Sequence, residues 1–126
     1  MAEKTDLIQE IITAPVSDLL AIIQDTKTEG YRLGQACATL AGENIEVLYT
    51  FEKDNILKNL KFVVDAKEPE LQSITAIYSY AFIYENEMHD LFGITFKNLS
   101  LDYGGKFFKI SEETPWNPLY EKGGEN

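Results

Sequence analysis

The sequence predicts an α+β domain. Three observations carry the prediction: a helical apolar period near the N-terminus, a run of alternating apolar residues in the middle, and a second helical stripe that stops at a glycine. At 126 residues the chain suits one domain with one real core.

The elements come in order. Leu7, Ile8, Ile11 and Ile12 recur at i, i+1, i+4, i+5, which predicts a first helix ended by Pro15. Ser17 is placed to cap a second helix. In it Leu19, Leu20, Ile22 and Ile23 face inward, and Gly30 stops it. The period then changes. Tyr31–Ala41 is a plausible strand, and AGEN (41–44) a turn. Ile45, Val47, Tyr49 and Phe51 alternate with Glu46, Leu48, Thr50 and Glu52, which predicts a strand with one apolar face. KDN (53–55) turns the chain into Ile56–Val64, where Ile56, Leu60, Phe62 and Val64 share a face. Three strands on short turns make an antiparallel meander.

DAKEPELQ (65–72) is a polar connection, and Ser73 can cap the next element. Ile77, Tyr80, Ala81, Tyr84, Met88 and Leu91 then recur at helical spacing up to Gly93, as one helix or two short ones joined near Tyr80. Ile94–Phe96 can add to the sheet edge. Asn98–Lys109 is loop-like, with a turn at Asp102-Tyr103-Gly104-Gly105. The predicted architecture is N-terminal helices packed on a three-stranded antiparallel meander, then a helix, all within residues 1–110. An extended C-terminal tail spans 111–126, with Trp116 held between prolines.

The formal net charge is −10, with 11 basic residues against 21 acidic ones. Nucleic acid and anionic lipid surfaces are disfavoured as partners; the charge serves plain solubility, the commoner case, or suits a cationic protein face. The single cysteine, Cys37, excludes an internal disulfide and reads as a small core residue. The N-terminus has no signal-like apolar core, and the apolar runs are too short to span a bilayer. The expected setting is cytoplasmic, with membrane contact only through partners.

The chemistry concentrates in YENEMHDLFGI (84–94), with Glu85, Glu87, Asp90 and the only histidine, His89. Glu85 and His89 are four apart on a helix, but zinc usually needs a third protein ligand, and nothing in the sequence marks one. Glu87 and Asp90 could form an acid–base pair, yet no nucleophile motif or phosphate loop accompanies them. Acids in the last turns of a helix face the negative end of its dipole, each at a cost of about 0.3–1 kcal/mol. Glu87 and Asp90 before Gly93 therefore suggest a cation supplied from elsewhere, and a docking helix. Trp116 suits either its own domain or a partner surface.

The stretch ITAIYSYAFIYENEMHDLFGITF resembles the signature helix of the thirty-kilodalton subunit family of NADH dehydrogenase, respiratory complex I. That signature reads Glu-Arg-Glu, two residues, Asp, two apolars, Gly-Ile, one residue, Phe, and falls on Glu85-Asn86-Glu87, Asp90-Leu91-Phe92 and Gly93-Ile94-Thr95-Phe96. Asn86 replaces the central Arg. A basic His-Pro-Asp-Leu-Arg-Arg continuation is replaced by Lys97–Gly105. This short, Arg-poor form is most similar to the small member of the same family found in Ech-type energy-converting [NiFe] hydrogenases.

The resemblance implies a non-catalytic accessory subunit that holds no cofactor. Its partners would be a large [NiFe] hydrogenase-type catalytic subunit and a small iron–sulfur subunit, which carry the NiFe centre and the iron–sulfur clusters. The whole complex would reduce protons with ferredoxin while translocating an ion. Glu85, Glu87, Asp90, Gly93 and Trp116 would serve as structural or interface residues. The alternatives are a component of a complex I-type NADH/ferredoxin:quinone oxidoreductase and, from another class, a small acid–base or metal enzyme using Glu85, His89 and Asp90.

Overall fold

The computed structural model describes residues 8–98 and 117–119. The predicted loop and turn of residues 99–109, and Trp116, lie outside them.

The order is β1 (Ile8–Thr13), α1 (Leu19–Thr28), β2 (Arg32–Ala41), β3 (Asn44–Lys53), β4 (Ile56–Asp65), β5 (Glu70–Gln72), α2 (Phe82–Phe92) and β6 (Thr95–Lys97). Four strands make a mixed sheet in the order β1-β4-β3-β2, and β5 and β6 pair in a separate small parallel sheet. The predicted antiparallel meander is present as β2–β3–β4. Both hairpins close through two residues. Gly42 takes φ 64 at the first loop position of one, and Asp54 and Asn55 both take positive φ in the other. Such turns match the twist of the strands they join.

The alternating pattern of β3 translates directly into burial. Ile45, Val47, Tyr49 and Phe51 are fully buried, as are Leu60 and Phe62 of β4. They share one core with Leu19 and Ile23 of α1 and Met88 and Phe92 of α2. In β2 the inward parity switches at Gly34. Leu33 lies opposite Phe51, but after the bulge Ala36 lies opposite Tyr49. An added Cβ at Gly34 would stand 3.3 Å from the Thr50 carbonyl, a tight contact, so the close approach of the two strands favours glycine.

The structure corrects several expectations. The predicted first helix is β1, paired in parallel with β4. Its six residues include three isoleucines and a threonine, stiff β-branched side chains that suit a strand, and a stretch this short fits either period. Ser17 lies inside a 3-10 turn (Val16–Asp18) and makes no capping bond, while Leu20 is exposed. Gly30 does follow the end of α1, at φ 98.

Ser73 does not cap a helix. Its hydroxyl accepts the Thr75 N–H at 3.1 Å and donates to Glu85, so residues 73–78 turn instead, and α2 begins only at Phe82 after a 3-10 turn at Ser79–Ala81. The strand after α2 joins β5 rather than the main sheet. Cys37 is exposed rather than in the core.

Within the stretch predicted as tail, Asn117 is buried. Its amide donates to the Ala66 and Phe92 carbonyls at 2.8 and 2.9 Å.

Candidate functional site

The region from Ser73 to Gly93 is built around Glu85. Because α2 starts late, Glu85 sits in its first turn, where a carboxylate faces the favourable end of the helix dipole. Its side chain is fully buried. One oxygen accepts the Ser73 hydroxyl at 2.7 Å, and the other accepts the Ile74 N–H at 2.8 Å. Ser73 is also joined to Thr75 at 2.8 Å. Burial pushes the Glu85 carboxyl up to about 7, and the bonds from Ile74 and Ser73 only partly offset this. The Tyr49 hydroxyl, buried without a hydrogen bond, is held well above its usual range by burial and by the negative charge of Glu85.

Three tyrosines of this region reach the outer edge of β2. Tyr78 donates to the Tyr31 carbonyl at 2.7 Å, and Tyr84 to the Gly34 carbonyl at 3.1 Å. The Tyr80 hydroxyl accepts the Leu33 N–H at 3.0 Å and donates to the Leu33 carbonyl at 3.1 Å. Side-chain hydroxyls thus take the place of a further strand over the first part of that edge, residues 31–34. Gly93, at φ 79, closes α2 by donating to the His89 carbonyl. His89 Nδ1 lies 3.0 Å from the Ile94 carbonyl, which ties its ring to the turn after the helix.

The outward stripe of α2 is different. Ile83 is 56% exposed, and Glu87 is exposed one turn on. Asp90 and Asn86 are half-buried, and each has a side-chain oxygen that is shielded from water yet lacks a hydrogen bond. An acceptor left that way costs about 1–3 kcal/mol, more if charged.

The predicted residues therefore separate. Glu85 and His89 are used inside the domain, while Glu87 and Asp90 lie on the outward side. Five residues of helix put Asp90 about 140° around α2 from Glu85, so these carboxylates do not converge. Among the described residues no group of three or more His, Cys, Asp or Glu could hold a metal ion. A cavity of about 70 Å³ between β2 and α2, lined in part by Ala36, Cys37 and Met88, is far below the roughly 300 Å³ of a small-molecule site. No described helix is long and apolar enough to cross a membrane. Sequence reasoning missed Tyr49, Thr75 and Ile83. The Ser73-x-Thr75 pair was the one local signal for them.

The family model for the respiratory-chain NADH dehydrogenase 30 Kd subunit matches residues 11–102. Two solved structures are similar. One is the trypsin-resistant fragment (1–134) of Nqo5, at 19% identity and TM-score 0.65, covering 75% of this chain and 83% of that one. The other belongs to the membrane-bound sulfane sulfur reductase, an archaeal respiratory membrane complex. It matches at 18% identity and TM-score 0.71, covering 93% of this chain and 72% of that one. At these identities the likeness is one of fold. No curated protein matches the chain.

Proposed function

Because the chain belongs to the respiratory-chain NADH dehydrogenase 30 Kd subunit family, we propose that it is a structural subunit that docks onto redox partners through the outward face of α2. The observation that carries this is the pair of shielded, unbonded oxygens on Asn86 and Asp90, beside exposed Ile83 and Glu87. A helix whose inner face is spent on Glu85 leaves that stripe for a partner. A basic side chain from the partner supplies the missing donors.

The partner set proposed is that of an Ech-type energy-converting hydrogenase: a large [NiFe]-type catalytic subunit and a small iron–sulfur subunit. These hold the metal centres, and this chain binds no cofactor itself. The complex sits at the cytoplasmic face of the membrane. The Arg-poor stretch after Phe96, with Asn86 in the motif, supports this over a quinone-reducing complex I. The family match over residues 11–102 supports a second reading, a complex I-type subunit. Trp116 is proposed to lie in the partner surface.

The test is recovery of partners in mild detergent with a tagged chain. Glu87→Lys together with Asp90→Lys is expected to cut recovery at least tenfold while the isolated domain stays folded, as read by its cooperative unfolding. Trp116→Ala is expected to cut it less. Undiminished recovery with the double reversal would sink the proposal. Trp116→Ala is preferable to truncation before residue 117, because truncation also removes the Asn117 bonds to Ala66 and Phe92.

A further inference from the structure

We propose that the edge of β1, unpaired on its outer side among the described residues, is a second docking edge, which takes an extended, basic segment of another polypeptide as a fifth strand of the main sheet. In the order β1-β4-β3-β2, β1 is terminal, and among the described residues no strand pairs with its outer side. An edge strand carries a row of backbone N–H and C=O groups that only an extended chain can pair along its length.

Natural sheets blunt such edges with lysine, proline, a bulge or a covering loop. β1 has none of the first three. Its sequence is IQEIIT, and its register with β4 runs without a shift. Apolar side chains stand open on both of its faces. Ile12, level with Leu60 on the core side, is 39% exposed, and Ile11, level with Asn59 on the opposite side, is 62% exposed. Val16 and Leu20, 44% and 42% exposed, come just past the strand. Six residues give about 20 Å of edge, an ordinary strand length.

Charge selects the occupant. Glu10 is the only charged residue on β1; the lysines level with the strand on β4, Lys58 and Lys61, pair with Glu29 and Glu46, and the chain carries −10 overall. Pairing two copies edge to edge would bring like charge together, while a basic segment is drawn in. Its residues alternate, with apolar ones level with Ile11 and Ile12 and a lysine or arginine near Glu10.

Hydrogen–deuterium exchange of residues 8–14, followed by mass spectrometry, tests it in the isolated chain and in the complex recovered with the tagged chain. In the isolated chain about half of the β1 amides are expected to exchange rapidly, since only one side is paired. In the complex those amides are expected to slow at least tenfold. Glu10→Gln is expected to reduce that protection several-fold while the isolated chain stays folded.

Three outcomes overturn the proposal. The first is equal exchange in both states. The second is full protection in the dilute isolated chain, which would mean its own residues close the edge. The third is protection that rises with concentration alongside a dimer in sedimentation, which would make the occupant a second copy. Protection at β1 that survives the Glu87 and Asp90 reversals separates this edge from the α2 face.

Discussion

The two edges of the main sheet are treated in opposite ways. At β2, hydroxyls of Tyr78, Tyr80 and Tyr84 bind four backbone groups that would otherwise face water or another strand. At β1 no such cover exists among the described residues, and isoleucines stand exposed. The closed edge uses side chains far away in sequence, brought into place by the bond between Glu85 and the Ser73–Ile74 backbone and hydroxyl. The open edge is made of local sequence alone. The capped stretch at residues 31–34 belongs to the architecture of the domain, and the β1 edge, unpaired among the described residues, is the one proposed to take a partner.

The comparison breaks most severely at Glu85. Glu85→Ala removes the acceptor of the Ser73 hydroxyl, strands the buried Ile74 N–H and leaves a void, so it is expected to cost about 3 kcal/mol in urea unfolding. A loss below about 1 kcal/mol would show that the tyrosine edge holds itself.

A somewhat smaller effect is expected from pH. Glu85 titrates near 7 when folded, against an ordinary value of 4.5, so the folded state keeps a proton that the unfolded chain releases. The resulting stabilisation is complete below about pH 4.5 and is lost as pH rises through 7. Between pH 5 and pH 8 it amounts to about 2 kcal/mol. Glu85→Gln is expected to flatten that slope, whatever its stability at one pH. Parallel slopes in the two proteins would refute the assignment.

Smaller again, Tyr80→Phe removes both bonds to Leu33 and is expected to cost about 1 kcal/mol, with faster exchange of the Leu33 amide. On the open edge, Ile11→Thr in the isolated chain is expected to change stability by less than about 0.5 kcal/mol. A larger loss there would mean that β1 is more deeply integrated than its exposure indicates.

The range of each interaction decides how legible it is in the sequence. The β2–β4 meander could be read because two-residue periodicity and turn residues are local. Gly93 could be read because a helix ending in a left-handed glycine is local too. β1 reads as a helix in the sequence, since Leu7, Ile8, Ile11 and Ile12 fit a helical face. Its β-branched content was the competing signal, and pairing with β4, 48 residues away in register, decided the outcome. Glu85 was grouped with Glu87 and Asp90 because all three are acids on one helix. Its separate role depends on Ser73 and Ile74, 12 and 11 residues upstream, folded into a turn rather than a helix. The tyrosine hydroxyls reach backbone groups 47 to 50 residues away, beyond any periodicity.

The Asn117 side chain has a consequence in time. It joins the carbonyl just after β4 to the carbonyl at the end of α2, positions 51 and 25 residues earlier. During synthesis the meander and α2 emerge first and can associate, and the bonds from Asn117 are added last. The domain is therefore finished by a latch made after nearly everything it fastens, so a chain halted before residue 117 would expose a nearly formed core to premature encounters with other chains.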